Sequence, residues 1–325
     1  MDEVLAMLSG EAYVSGEKMS EALGVTRAAV WKRVRQLQDA GWPIVSGGRR
    51  GYRLLPHDRL EPETWQGALR TRAIGRGTVR YEASLPSTNT AVKDMFREGA
   101  PHGSLCLCEE QTAGRGRLGR TWVSPAGAGL WQSVLLLPSI PPERVSVLTF
   151  CAALAMAEAL EETAGIDARI KWPNDLVCGG RKICGILLEA SVEPGRVECV
   201  VMGVGLNVRP EAVPPELTGQ AACVADFCAE VPPRRRILCA YLERLEHWTD
   251  AAEQGGFNAV APALKACCVT LGSRVLVTPA AGGEPFAGTA ADIGGDGSLL
   301  VRTDAGEERH VLAGDVSVRG VMGYA

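Results

Sequence analysis

Three glycines and three arginines share seven residues, Gly114, Arg115, Gly116, Arg117, Leu118, Gly119 and Arg120, and Trp122 follows two positions later. Arginine keeps its charge at any ordinary pH, and its planar fork of donors matches carboxylate and phosphate. Glycine lets a backbone approach a ligand closely and turn sharply. Together they suit a loop that wraps a small anion. They equally suit a solvated basic loop or a nucleic-acid contact, and this stretch alone does not separate the three. Four other stretches set polar or cationic side chains beside turn residues. They are Ser87, Thr88 and Asn89; Lys171, Trp172, Pro173, Asn174 and Asp175; Gly180, Arg181, Lys182 and Gly185; and Gly203, Gly205 and Asn207. Taken singly, each has an ordinary explanation: helix capping for residues 87–89, a turn at Asn174 and Asp175, core positions for Trp122 and Trp172, and space beside a strand at the glycines.

The elements that must position these groups follow from periodicity and punctuation. Apolar runs at 104–108 and 129–137 read as strands, the first of them buried, and 79–84 and 199–208 read as two further strands. Residues 168–177 read as a strand entering a turn, and 179–189 as a hairpin returning into a strand. Helices are expected over about 91–98, over the alanine-rich 144–164, and over 234–253. From residue 270 short alternating segments are separated by turns at Gly282-Gly283, Gly294 to Gly297 and Asp304 to Gly306, the pattern of a small all-β barrel.

The first 60 residues read as a separate module. Short helices are expected over 2–8 and over 16–23, the second capped by Ser15. After the Gly24 turn, Thr26 can cap a third helix over 27–40, ended by Gly41. Val30, Val34 and Leu37 form one apolar stripe on it. Two short strands, 44–46 and 49–54, would follow as a hairpin, which makes a winged helix-turn-helix. Between Lys18 and Arg53 lie eight basic and two acidic residues, a local +6 in a chain whose net charge is −4. Phosphate contacts supply most of the affinity for DNA, so a local basic patch fits this module. Arg27, Lys32, Arg33 and Arg35 on the third helix and Arg49 and Arg50 on the wing are the candidate DNA contacts.

The chain has 325 residues, 46% of them hydrophobic, enough for two or three domains with a sizeable core. The expected division is a winged helix-turn-helix over 1–60, a linker over 61–76, a mixed α/β domain over 77–268 and the β-barrel over 269–325. No apolar stretch is long enough to span a membrane and no signal peptide is apparent, so a cytoplasmic protein is expected. Eleven cysteines without a C-x-x-C pair, and His57, His102, His247 and His310 scattered, lack zinc-ligand spacing. The cysteines read as small buried apolar residues in a reducing compartment.

Taken in order, the polar triplet, the G-R-G-R-x-G-R-x-W loop, K-W-P-N-D, G-R-K-x-x-G-I-L and G-x-G-x-N resemble the biotin–protein ligase family. With the winged helix in front, the whole chain is similar to its bifunctional ligase/repressor members. The resemblance implies an α+β multidomain protein with a central ligase domain like that of class II synthetases and a C-terminal SH3-like β-barrel. It implies ATP and biotin as substrates with Mg²⁺, biotin activated as biotinyl-5'-AMP, and transfer to a lysine of a biotin carboxyl carrier protein. The first step brings two anions together, so fixed cations and positioning are needed rather than a covalent nucleophile. By resemblance, Ser87, Thr88, Asn89, Gln111, Arg115, Gly116, Arg117, Lys182, Gly185 and Gly203 line the biotin side. Arg117, Arg120, Trp122, Lys171, Asn174 and Asn207 lie on the nucleotide side, Lys182, Arg115 and Arg117 serve the chemistry, and Asp175 is a candidate Mg²⁺ contact. The resemblance also implies a homodimer formed when the adenylate is bound, which binds operator DNA. Two alternatives remain open from the residues: a ligand-sensing winged-helix regulator without ligase chemistry, and a relative acting on lipoate or octanoate.

Overall fold

A computed structural model of the chain describes residues 3–8, 12–39, 42–55, 57–279, 284–312 and 316–320, the last by backbone alone. It divides into two compact units, Met1–Gly67 and Ala68–Ala325.

In the first unit, α1 (Glu3–Met7), α2 (Gly16–Leu23) and α3 (Arg27–Asp39) precede an antiparallel pair, β1 (Ile44–Ser46) and β2 (Tyr52–Leu54). The expected caps are made: Ser15 Oγ accepts from the Lys18 N–H at 3.1 Å and Thr26 Oγ1 from the Ala29 N–H at 3.2 Å. Gly24 ends α2 with φ 63°, a left-handed conformation that costs glycine little. Val30, Val34 and Leu37 are buried against Leu5, Leu8, Met19, Trp42 and Ile44. Each such side chain contributes roughly 1.5–3 kcal/mol by leaving water. The wing departs from expectation. Arg49 and Arg50 lie in a 3-10 turn, Gly48–Arg50, and the second strand begins only at Tyr52. Positive φ at Gly48 and Gly51 breaks the extended chain on either side of the arginines. Tyr52 exchanges both backbone hydrogen bonds with Val14, which ties the wing to the segment before α2. Within the expected linker there is one 3-10 turn, Pro62–Thr64. Gly41, the expected end of α3, lies outside the described residues.

The second unit is built on seven strands: β3 (Val79–Leu85), β4 (Leu105–Gln111), β5 (Gly129–Leu136), β6 (Arg169–Lys171), β7 (Asp175–Cys178), β8 (Arg181–Glu193) and β9 (Arg196–Asn207). Their order is β3-β4-β5-β9-β8-β7-β6, with β3 and β4 parallel and the remaining ladders antiparallel. β5 is buried along its whole length, which requires cover on both faces. On one face lies α4 (Thr88–Arg97), whose Val92 and Met95 pack with Cys106, Cys108, Trp131, Leu135, Cys199 and Val201. The rest of the cover comes from α5 (Val147–Ala164), α6 (Arg234–Gly255) and α7 (Phe257–Cys267), which pack on one another. α4 starts three residues earlier than expected, so Thr88 and Asn89 stand in its first turn. α7 was not expected, because Pro262 sits inside it. Glu246 of α6 accepts the backbone N–H groups of Arg72, Ala73 and Ile74 at 2.8, 2.7 and 3.0 Å. Residues 72–74, expected in the linker, are therefore pinned to this unit.

The C-terminal strands β10 (Arg274–Pro279), β11 (Phe286–Ile293), β12 (Leu299–Thr303), β13 (Glu308–Val311) and β14 (Val316–Gly320) pair antiparallel in the order β13-β12-β11-β10-β14. Among the described residues the ladder is open, and β13 and β14 do not pair to close the expected barrel. The turns at Gly294 to Gly297 and Asp304 to Gly306 are present; Gly282-Gly283 lies outside the described residues. The Trp172 indole N–H donates to the Gly297 carbonyl at 3.1 Å, and the Trp172 N–H to Thr270 Oγ1 at 2.9 Å. None of the eleven cysteines is in a disulfide, and seven are buried. Burial pushes Cys106 and Cys151 up to about 12, so neither offers a thiolate nucleophile at neutral pH. Among the described residues, no helix is long and apolar enough to cross a membrane.

Candidate active site

Every candidate site residue of the ligase domain lines one cavity of about 690 Å³. That size falls in the range of roughly 300–1,000 Å³ usual for small-molecule sites. Its floor is the region where β5, β9 and β8 lie side by side. There Ser133 pairs with Gly203 and Trp131 with Gly205, while Gly205 pairs with Gly185. A Cβ at Gly203 would lie 2.1 Å from Asn89 Oδ1, and one at Gly205 2.5 Å from Trp122 Nε1. Gly185 is confined in the same way, by Trp122 and by Lys182 Nζ at 3.1 Å. The glycines were expected to admit a ligand; here the space beside them holds the protein's own site side chains.

The polar end is a hydrogen-bonded cluster. Ser87, Thr88 and Asn89 are all buried, and Ser87, at the head of α4, makes no side-chain capping bond. Gln111 Oε1 accepts from the Thr88 N–H at 2.9 Å, and Gln111 Nε2 donates to Ser124 Oγ at 2.9 Å. Gln111 and Ser124 flank the arginine loop, and the Gln111 N–H also donates to the Ser124 carbonyl, so the loop is closed at its base. Ser133 lies 2.7 Å from Thr88 Oγ1 and 2.6 Å from Asn89 Oδ1. Ser133, Ser124 and Glu189 were not anticipated. The available signal for Ser133 was a lone hydroxyl inside the apolar run of β5.

The cationic end is unequal. Lys182 Nζ sits 2.6 Å from Asp175 Oδ1, both side chains largely covered, and 5.0 Å from the centre of the Trp122 ring. Its backbone is held by residues 220–222, since its N–H donates to the Gln220 carbonyl and its carbonyl accepts from the Ala222 N–H. Arg117 Nη1 donates to Asn174 Oδ1 at 2.9 Å, and Asn174 Nδ2 donates to the Ile186 carbonyl at 2.8 Å. Burial lowers the pKa of Arg117, Asp175 opposes that, and Arg120 adds to it. Arg115 and Arg120 line the cavity from its exposed rim, and Gly116 is half-buried between them. The loop bends through Leu118, a non-glycine residue at φ 56° that is half exposed. Lys171 is buried on β6, and Asn207 spends its amide on the Ala222 carbonyl at 3.1 Å. The buried Trp122 indole N–H has no partner among the described residues and packs against Gly205. Asp175 is the one carboxylate among the lining side chains, and no described cluster of three His, Cys, Asp or Glu could hold a metal.

The comparisons with known proteins bear directly on this geometry. The chain is 33% identical over 313 residues to the "Bifunctional ligase/repressor BirA" of Bacillus subtilis, covering 95% of each chain. The chain belongs to the bifunctional ligase/repressor family. The Biotin/lipoate A/B protein ligase family matches residues 81–207, an HTH domain matches 1–53, and the Biotin protein ligase C terminal domain matches 270–319. A biotin–[acetyl-CoA-carboxylase] ligase of Mycobacterium tuberculosis is 34% identical over 278 residues, spanning 81% of this chain and 98% of that one. Among solved structures, a biotin protein ligase from Aquifex aeolicus in complex with biotin and ATP aligns with a TM-score of 0.65 at 27% identity, over 75% of this chain and 99% of that one.

The six candidate DNA contacts belong to the other unit. Arg27, Lys32, Arg33 and Arg35 are exposed on α3, and Arg49 and Arg50 are exposed in the 3-10 turn of the wing. Arg50 stacks over Tyr13, 4.3 Å from the ring centre, and Arg33 bonds Gln36.

Proposed function

We propose that this family member joins biotin to ATP as biotinyl-5'-AMP and passes the biotinyl group to a lysine of a biotin carboxyl carrier protein. A biotin carboxylate oxygen attacks the α-phosphorus, the bond to the β-phosphate oxygen breaks, and pyrophosphate leaves. The carrier lysine amine then attacks the anhydride carbonyl, AMP leaves, and the amine loses a proton. Both steps concentrate negative charge, so preorganised cations do most of the work. In this reading Lys182 and Arg117 sit at the carboxylate and α-phosphate, and Arg115 and Arg120 close over the adenylate when the loop folds in. Ser87, Thr88, Asn89, Gln111 and Gly116 with Gly185 and Gly203 shape the biotin side. Trp122, Lys171, Asn174 and Asn207 form the nucleotide side. The observation that carries the reading is the covered Lys182–Asp175 pair, with Arg117 beside it, sharing a cavity with the buried 87–89 cluster. Asp175 alone does not make a metal site; a Mg²⁺ carried by the nucleotide would take its ligands from the phosphates, with Asp175 as the one carboxylate of the described lining that could reach it. Biotin-dependent exchange of pyrophosphate into ATP tests the assignment. Exchange supported equally by lipoate or octanoate, or none at all, overturns it.

The second activity is repression of biotin genes. Its support is the exposed row of cations on the capped α3 and wing, in a chain that is otherwise acidic. The adenylate orders the arginine loop and promotes a homodimer, which presents two winged helices to operator DNA. A gel shift with DNA from upstream of biotin genes, with and without biotin and ATP, reads this out. A cytoplasmic location, a domain division at 1–60, 77–268 and 269–325, a ligase core like that of class II synthetases, and an SH3-like closure of the C-terminal sheet belong to the same proposal.

A further inference from the structure

Glu189 lies on β8 beyond the G-R-K-x-x-G-I-L motif, outside every sequence pattern that marks the site. Its carboxylate is nevertheless shared between the cavity residue Asn89 and Lys93 of α4. Oε2 accepts from Asn89 Nδ2 at 2.8 Å, and Oε1 from Lys93 Nζ at 2.6 Å. Asn89 Nδ2 also donates to the Leu187 carbonyl at 3.3 Å. Both amide hydrogens of Asn89 therefore face atoms that only accept, and a flipped amide would point its oxygen at a carboxylate and a carbonyl. That orientation decides the next bond. Asn89 Oδ1 can only accept, so the single hydroxyl hydrogen of the fully buried Ser133 goes to it, 2.6 Å away. With that hydrogen committed, the 2.7 Å contact between the Ser133 and Thr88 hydroxyls takes the Thr88 hydrogen, in competition with the longer 3.2 Å contact of Thr88 Oγ1 to Gln111 Oε1. With its hydrogen directed to Ser133, Thr88 offers an oxygen lone pair rather than a donor to the cavity. Biotin carries two ureido N–H donors that need such acceptors.

We infer that Glu189, held in place by Lys93, is a positioning residue that sets the direction of the Asn89–Ser133–Thr88 relay and so the acceptor character of the biotin side. The carboxyl stays ionised because, although burial opposes it, Lys93 and Asn89 together outweigh that and Arg115 adds to them. Arg115 thereby links the relay to the arginine loop. Removing the carboxylate frees Asn89 to rotate, donate to Ser133 and reverse the relay. The inference rests on the ligase reading for the identity of the ligand.

The test compares Glu189→Ala, Glu189→Gln and Lys93→Met with the natural chain. Biotin Kd is measured by calorimetry, and kcat and the KM for ATP by pyrophosphate exchange. Loss of a charge-assisted orienting bond predicts that Glu189→Ala raises biotin Kd by about tenfold while kcat and the KM for ATP stay within about twofold. Glu189→Gln keeps an oxygen for Asn89 and loses less, and Lys93→Met loses least. An unchanged biotin Kd in Glu189→Ala overturns the inference. So does a loss spread evenly over biotin, ATP and kcat, which marks general damage to the fold. Should Glu189→Ala not fold, Glu189→Gln carries the same split. A natural chain that binds biotin but supports no exchange defeats the ligase reading alone, and the Kd comparison still decides the role of Glu189.

Discussion

The cations of the winged unit and those of the ligase cavity are the same residue types used in opposite ways. On α3 and the wing, Arg27, Lys32, Arg35 and Arg49 stand exposed. Their influence on a polyanion is a field, screened over about 8–10 Å at ordinary salt. In the cavity, Lys182 is set against Asp175 at 2.6 Å and Arg117 against Asn174 at 2.9 Å, each in a fixed direction. A covered ion pair stabilises a fold only modestly, because desolvation offsets the attraction. What the arrangement provides is a fixed place for an incoming anion. Between the two extremes lie Arg115 and Arg120, exposed at the cavity rim on a loop whose base is fixed by Gln111 and Ser124.

The sharpest way to break this contrast is at Lys182. Lys182→Met removes the cation that pairs with Asp175 at 2.6 Å in a covered site. Biotin-dependent exchange should fall by about 10³-fold, the scale of losing a preorganised charge at a transition state. Basal DNA binding without biotin or ATP should not change. An exchange rate within about tenfold of the natural chain would remove Lys182 from the chemistry. Next in size is Gly203→Ala. Its added methyl would meet Asn89 Oδ1 at 2.1 Å, so the buried amide must move. Overpacking of this kind costs about 1–3 kcal/mol, and biotin affinity should fall roughly tenfold or more with it. Calorimetry with biotin checks this, and an unchanged Kd would show that Asn89 does not hold the biotin side.

The exposed cations should behave differently. Lys32→Ala or Arg35→Ala should weaken DNA binding several-fold and reduce the slope of log K against log salt by about 0.9 for each phosphate that is no longer neutralised. Exchange activity should be untouched. A variant that loses affinity with an unchanged slope would assign that residue to base edges rather than the backbone.

The same division decides what was legible in the sequence. Val30, Val34 and Leu37 announced their buried stripe, and Ser15, Gly24 and Thr26 announced the ends of α2 and the start of α3, because these signals are local. The G-R-G-R loop, K-W-P-N-D and Lys182 converged on one cavity as their order suggested. Ser133 and Glu189 escaped because their importance lies in cross-strand neighbours. Ser133 faces Gly203, and Glu189 reaches Asn89 from one hundred residues away. α7 escaped because Pro262 argues against a helix locally, while packing on α5 and α6 overrides it. The wing arginines were misplaced into a strand because the composition of 49–54 does not reveal that Gly48 and Gly51 both take positive φ.

The smallest effect tests whether the winged unit's own local signals carry its stability. Ser15→Ala deletes the acceptor of an exposed capping bond, the one from the Lys18 N–H at 3.1 Å. A lost N-cap of this kind costs about 1 kcal/mol. Because Ser15 lies between Val14, bonded to Tyr52, and the start of α2, the cost should fall on the winged unit. Hydrogen exchange should speed in α2 and β2 and stay unchanged in α5 and β9. Operator affinity should fall only by the fraction of the unit that unfolds, and pyrophosphate exchange should not fall at all. Faster hydrogen exchange in β9 or a lower pyrophosphate-exchange rate would show that the two units do not melt independently, and the contrast between their electrostatics would then need an energetic link between them.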